Sequence, residues 1–152
     1  MKRKSSLLVV VMASALLLAA CGGKAAEAVE AQPAAAVSDA ALVISGAADA
    51  AWTVADLQAL PVTEAEYTNK DGETTSYSGV SFADLFAAAG VDSYTGVSLV
   101  AADDYAAELD QATLDGCAKC IVAIGDDGSL RSVMPDMSSA VQVKDLVEII
   151  VN

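Results

Sequence analysis

The sequence predicts an α+β domain, a mixed β-sheet or barrel-like core carrying two or three short helices. Three observations predict it. Apolar and polar residues alternate over short runs, the period of strands with one wet face. Two apolar segments at helical spacing begin on hydroxyl residues suited to N-capping, Thr53 and Ser81. Asp71-Gly72 and Asp127-Gly128 stand between strand-like runs, as in hairpin turns.

Element by element, a domain starting near Ala41 opens with Leu42-Val43-Ile44, a short strand ended by Ser45-Gly46. Thr53 N-caps a helix with Asp56 three residues on, in a capping-box role. Val54, Leu57 and Leu60 face the core, and Pro61 stops the helix. Trp52, the one tryptophan, is expected to pack beside that helix. Val62 to Thr68 alternates as a strand, Asn69-Lys70-Asp71-Gly72 turns it, and Thr74 to Val80 returns, with Gly79 read as a break that lets the strand turn sharply. Ser81 caps a second helix with Phe82, Leu85, Phe86 and Ala89 on one face, closed by Gly90. Val97 to Ala101 reads as a buried strand and Tyr105 to Leu109 as an alternating one. Gln111 to Gly116 is a turn or short helix. Ile121 to Ile124 and Leu130 to Met134 form a hairpin around Asp126-Asp127-Gly128. Val141, Val143 and Leu146 to Val151 supply the last one or two strands.

Ahead of the domain, Lys2, Arg3 and Lys4 precede an apolar and small stretch from Ser5 to Ala20. Leu18-Ala19-Ala20 then leads into Cys21 and Gly22-Gly23. A charged start, a short apolar run and small residues at a cleavage point describe a secretory signal. With Cys directly after Leu-Ala-Ala, the segment resembles a bacterial lipoprotein signal, which implies cleavage before Cys21 and lipidation of its thiol. A membrane-spanning helix is the competing reading, but Ser5–Ala20 is shorter than the roughly 20 apolar residues that cross a bilayer. The expected organisation is therefore a signal over 1–20, a lipidated Ala/Glu-rich tether over 21–40 and one domain over 41–152. The expected location is the cell envelope, with the lipid on Cys21 holding the chain to the membrane and the domain facing outside the cytoplasm.

Charge and composition close off several functions. The chain has 21 acidic and eight basic residues and no histidine. All the acidic residues, but only Lys24, Lys70, Lys119, Arg131 and Lys144 among the basic ones, follow residue 20. Such a surface has no hold on nucleic acid phosphates. Without histidine, hydrolysis through a Ser-His-Asp or Cys-His arrangement is closed. Asp126-Asp127-Gly128 lacks the spaced ligands of a calcium loop, and no metal site is expected.

Taken together, several segments resemble the oxidoreductase molybdopterin-binding domain of the sulfite-oxidase-like fold. They are Leu42-Val43-Ile44-Ser45-Gly46, Thr53-Val54-Ala55-Asp56-Leu57 with Leu60-Pro61, Tyr77-Ser78-Gly79-Val80-Ser81-Phe82-Ala83-Asp84-Leu85-Phe86, Val100-Ala101-Ala102-Asp103-Asp104-Tyr105 and Val143-Lys144-Asp145-Leu146-Val147-Glu148-Ile149. The resemblance runs over about Leu42–Val151. It implies the fold, work beside an extracytoplasmic redox protein, and a molybdenum held by a cysteine on the loop after the strand following the first helix. That stretch here is Val62 to Asn69 and contains no cysteine. Neither Tyr67 nor Glu66 replaces a soft thiolate without changing the metal chemistry. No cofactor is expected on this reading, molybdopterin being the group the resemblance leaves open. Tyr67, Asp103, Asp104 and Tyr105 are the candidate ligand-pocket residues, the last three falling where related enzymes line their pocket mouth.

Cys117-Ala118-Lys119-Cys120 is the one local constellation with chemical potential. Outside the cytoplasm two thiols at this spacing are expected to be oxidised. The bridge is either structural, joining a turn to a strand, or redox-active, with Lys119 lowering a thiol pKa. The pair runs into Ile121-Val122-Ala123-Ile124, a strand, whereas a thioredoxin-like pair opens a helix. The expected function is a membrane-anchored binding or electron-transfer accessory module. The alternatives are a redox enzyme that retains a pterin or cycles Cys117–Cys120, and a structural envelope lipoprotein.

Overall fold

The computed structural model describes Asp39–Asn152. The expected signal, Cys21 and the tether through residue 38 lie outside the described residues. In chain order the elements are β1 (Leu42–Gly46), β2 (Ala50–Trp52), α1 (Val54–Gln58), β3 (Val62–Thr68), β4 (Thr74–Ser81), α2 (Phe82–Ala89), β5 (Gly96–Ala101), β6 (Ala106–Asp110), α3 (Gln111–Asp115), β7 (Ile121–Ile124), β8 (Leu130–Val133), a 3-10 turn (Ser139–Val141) and β9 (Leu146–Val151). The class is α+β, but the strands sort into two sheets instead of one mixed sheet. The first has the order β2-β1-β9-β5-β6 and the second β3-β4-β7-β8. Only the β1–β9 pair is parallel, with Val43 opposite Glu148 and Gly46 opposite Val151. The second sheet is antiparallel throughout.

Local chemistry explains the helices. Thr53 accepts the Asp56 N–H at 3.2 Å, while the Asp56 carboxylate accepts the Thr53 N–H at 3.0 Å. This capping box starts α1 and turns Leu57 into the core. Ser81 caps α2 with its side chain, accepting the Asp84 N–H at 3.0 Å and donating its hydroxyl to the Asp84 carboxylate. Gly90 ends α2 in the left-handed region at φ 73°, where a Cβ is disfavoured. Asp110 opens α3 by accepting the Thr113 N–H at 2.7 Å. That backbone hydrogen bond, with one to the Thr113 side chain, holds the Asp110 carboxyl below the usual carboxylate range.

One core joins the two sheets. Leu42, Ile44, Leu99 and Ile149 of the first sheet pack with Val80 and Val122 of the second and with Leu57 and Leu85 of the helices. Each such side chain contributes roughly 1.5–3 kcal/mol by leaving water. A separate cluster, Ala65, Ile121, Ala123 and Val133, lies on the other face of the second sheet, flanked by Tyr67 and Tyr77. Among the described residues no helix is long and apolar enough to cross a membrane.

One local expectation needs correction, and three others gain detail. Gly79 does not break its strand. β4 runs unbroken to Ser81, and Gly79 pairs with Thr63 on one side and Ala123 on the other. A Cβ there would meet the Val122 carbonyl oxygen, so glycine serves close approach of β4 to β7. Trp52, expected beside the first helix, pairs with Leu42 in a short strand, β2, which contacts α1, and it packs against the core that Leu57 of that helix shares. Val97–Ala101 is a buried strand as expected, with Val97, Leu99 and Ala101 buried and Ser98 and Val100 half-buried. At the C-terminus one strand forms, because Val141 ends a 3-10 turn and Val143 lies outside any strand.

Candidate functional site

The expected pocket residues divide between two places. Tyr67 lies on β3, opposite Thr75 of β4, and packs on the small cluster with Tyr77. The Tyr77 hydroxyl accepts a hydrogen bond from Arg131 at 3.0 Å, and the guanidinium carbon lies 4.7 Å from the Tyr77 ring centre. The Arg131 Nε is buried without a hydrogen-bond partner. Tyr67 therefore belongs to the small cluster on the far face of the second sheet and is not among the residues that line the cleft with Asp103.

Asp103 and Tyr105 do come together, at the rim of a cleft of about 490 Å³ with Gln142, Lys144 and Asp145. Asp104 is exposed but is not part of the lining, since its backbone takes the left-handed turn at φ 66°. The loop is built by its own hydrogen bonds. Ala101 and Tyr105 close it through the Ala101 N–H to the Tyr105 carbonyl at 2.9 Å, and the Asp103 carboxylate accepts the Tyr105 N–H at 3.1 Å. The opposite wall is the strap between β8 and β9. Tyr105 reaches it by donating its hydroxyl proton to the Ala140 carbonyl at 2.8 Å. Ala102 reaches it through its N–H to the Asp145 carbonyl at 2.9 Å.

Two buried polar side chains fix that strap. Gln142 accepts the Met134 N–H at 2.9 Å and donates to the Met134 carbonyl at 2.6 Å, imitating a strand pair with its amide. Ser132 donates to the Val141 carbonyl and accepts the Val143 N–H, both at 2.7 Å. Both are buried, and their bonds offset the cost of removing polar groups from water. Sequence reasoning missed Ser132, Gln142, Lys144 and Asp145 as site builders. The available signal was a polar pair, Gln142 and Lys144, on either side of the buried Val143. The cleft offers charges of both signs, a phenol and an amide. It can hold a polar ligand through hydrogen bonds and charge. It has no thiol or imidazole to serve as nucleophile or general base at neutral pH.

The cysteine pair forms a disulfide. Cys117 follows the end of α3, where its N–H reaches the Leu114 carbonyl at 3.0 Å, and Cys120 leads into β7. Cys120 is buried in the main core at 1% exposure, while Cys117 is half-buried and Ala118 and Lys119 are exposed. A second groove, of about 440 Å³, lies beside the bridge, lined by Cys117, Lys119, Pro135, Asp136 and Met137. Among the described residues no group of three or more His, Cys, Asp or Glu is placed to hold a metal ion.

No family model and no curated protein matches the chain. Among solved structures, the fold is similar to that of the sulfane dehydrogenase SoxCD from Paracoccus pantotrophus, with a TM-score of 0.61 and 18% identity. The match covers 72% of this chain and 37% of that one, so the chain spans well under half of that protein's length. At the level of fold, this agrees with the oxidoreductase-like architecture that the sequence segments imply.

Proposed function

We propose that the chain is a lipid-anchored, extracytoplasmic module that uses a molybdopterin-oxidoreductase-like fold as a binding platform. In this reading it works without the molybdenum cofactor, beside a redox partner in the cell envelope. The observation that carries it is the donor chemistry where a metal would be held. The Val62–Asn69 stretch has Tyr67 packed on the small apolar cluster and no thiol, and the two cysteines of the domain are joined to each other. A phenol in an apolar cluster is a poor substitute for a thiolate toward molybdenum. The basic residues, which a phosphate-bearing pterin would need, are dispersed. Lys70 sits in the β3–β4 turn, Lys119 beside the disulfide, Arg131 under Tyr77 and Lys144 at the cleft.

The cleft at Asp103, Tyr105, Gln142, Lys144 and Asp145 is the binding site of this reading, and a small polar ligand carrying both donors and acceptors suits it. The anchor rests on the signal pattern ending at Cys21. Native mass spectrometry in detergent micelles, on the full chain from a host that makes the molybdenum cofactor, tests the proposal. The expected mass is that of the chain from Cys21 onward, with its acyl groups and minus two hydrogens. An added mass equal to a pterin or metal would overturn the cofactor-free reading. An unmodified Cys21 would overturn the anchor.

A further inference from the structure

We infer that Cys117 Sγ is a thiol–disulfide exchange site, at which the Cys117–Cys120 bridge reacts with a partner protein carrying two neighbouring thiols. This inference is independent of the ligand cleft and rests on the unequal surroundings of the two sulfurs. Cys120 is 1% exposed and belongs to the main core. Its carbonyl accepts the Phe82 N–H at 3.2 Å, which ties it to the start of α2. Cys117 is half-buried and borders the 440 Å³ groove with Lys119, Pro135, Asp136 and Met137.

A thiolate must approach a disulfide sulfur in line with the S–S bond, from the side away from the leaving sulfur. Cys120 is enclosed in the core, whereas Cys117, at the core's edge, borders the groove. Access decides which sulfur is attacked. Lys119 places positive charge beside the incoming thiolate on a surface that is otherwise strongly acidic. The partner sulfur bonds to Cys117 Sγ as the Cys117–Cys120 bond breaks. Cys120 leaves with the electron pair and takes a proton from solvent. The partner's second thiolate then attacks its own first sulfur, closing a disulfide in the partner and releasing Cys117, which takes the second proton. Two electrons pass from the partner dithiol to the pair, and the reverse sequence returns them. The reduced state is accommodated because a Cys120 thiol is a small apolar group in the place it already occupies.

The full chain carrying Cys21→Ser, so that only this pair of cysteines remains, is the material for the test. Adding Cys120→Ser leaves Cys117, and adding Cys117→Ser leaves Cys120. With an aromatic disulfide reagent under native conditions, the chain retaining Cys117 is expected to react at least about tenfold faster, the two rates converging in denaturant. Equal native rates, or the opposite order, would overturn the assignment. Because either variant can lose its fold, the unsubstituted pair is also exposed briefly to glutathione, quenched with acid and mapped. Glutathione on Cys117 supports the inference and glutathione on Cys120 overturns it. Finally, reduction by dithiothreitol should rise in proportion to its concentration. A plateau at the rate of global unfolding would mean a purely structural bridge.

Discussion

The two sheets of this domain are built on different principles. The five-stranded sheet pairs β1 with β9, joining the two ends of the described chain in parallel register from Val43–Glu148 to Gly46–Val151. Its buried residues, Leu42, Ile44, Leu99 and Ile149 among them, feed one core. The four-stranded sheet consists of two hairpins, β3–β4 and β7–β8, laid side by side. It buries Val80 and Val122 in that core and holds a second, small cluster on its other face. The first sheet hangs on β9, which pairs with both β1 and β5 from far along the chain, whereas the second joins two local hairpins through a single distant pair, β4–β7. Pairing distant segments costs more chain entropy than closing a hairpin, so the first sheet needs the larger apolar return.

Removing that apolar return is the strongest way to break the contrast. Leu99→Ala, at a position with 0% exposure, is expected to destabilise the domain by about 4 kcal/mol, through lost transfer energy and a residual cavity. Val133→Ala in the small cluster should cost roughly half as much, since fewer atoms are removed. Urea midpoints of the two variants decide it, and equal losses would mean that the two clusters act as one core.

Gly79→Ala probes the second sheet where its hairpins meet. The new methyl would press on the Val122 carbonyl, which is backbone and has little room to give. A loss of about 3 kcal/mol is expected by equilibrium unfolding. An unchanged midpoint would show that β4 and β7 are not held as closely as described.

Gln142→Ala tests the strap that leads from the second sheet to the first. It strands the N–H and carbonyl of Met134, both bonded to the Gln142 amide. The expected cost is about 2 kcal/mol. Amide exchange in the 139–145 segment should also rise, because the cleft wall loses its anchor. Faster exchange confined to other segments would contradict this role.

The smallest effect concerns Tyr94, which stacks edge-on against Phe86 at 5.2 Å and donates to Asp115 at 2.7 Å. Burial, then the hydrogen bond to the Asp115 carboxylate and its charge, pushes the phenol up to about 12. The folded state thus prefers the protonated phenol. Its contribution is complete below the usual tyrosine range near 10 and is lost as pH rises toward 12. Tyr94→Phe should cost about 1 kcal/mol near neutral pH. It should also lose less stability than the parent between pH 8 and 11, as chemical denaturation at the two pH values will show. Parallel losses in both chains would remove Tyr94 from the account.

Much of the second sheet was legible in advance. Val62–Thr68 alternates, Asn69–Gly72 supplies the turn and Gly72 takes φ 84°, so the β3–β4 hairpin follows from neighbouring residues. The helix starts at Thr53 and Ser81 were equally readable, because a cap is a contact across three residues. The site was legible only in part. Asp103 and Tyr105 sit close together in the sequence, but the residues that line the cleft with them, Gln142, Lys144 and Asp145, come from about 40 residues later. Nothing in the linear pattern separates Tyr67 from them, because it carries no information about which sheet a strand joins.

Periodicity, capping residues and turn chemistry dictated the kinds of elements, most of their limits and the closeness of Cys117 to Cys120, because each depends on atoms a few bonds apart. Tertiary packing decided the division into two sheets, the parallel β1–β9 pair and the separation of Tyr67 from the cleft. It also decided that one cysteine of the bridge is enclosed by core while the other borders a groove. Those outcomes depend on which distant apolar faces fill one another's space, and no local spacing encodes that choice.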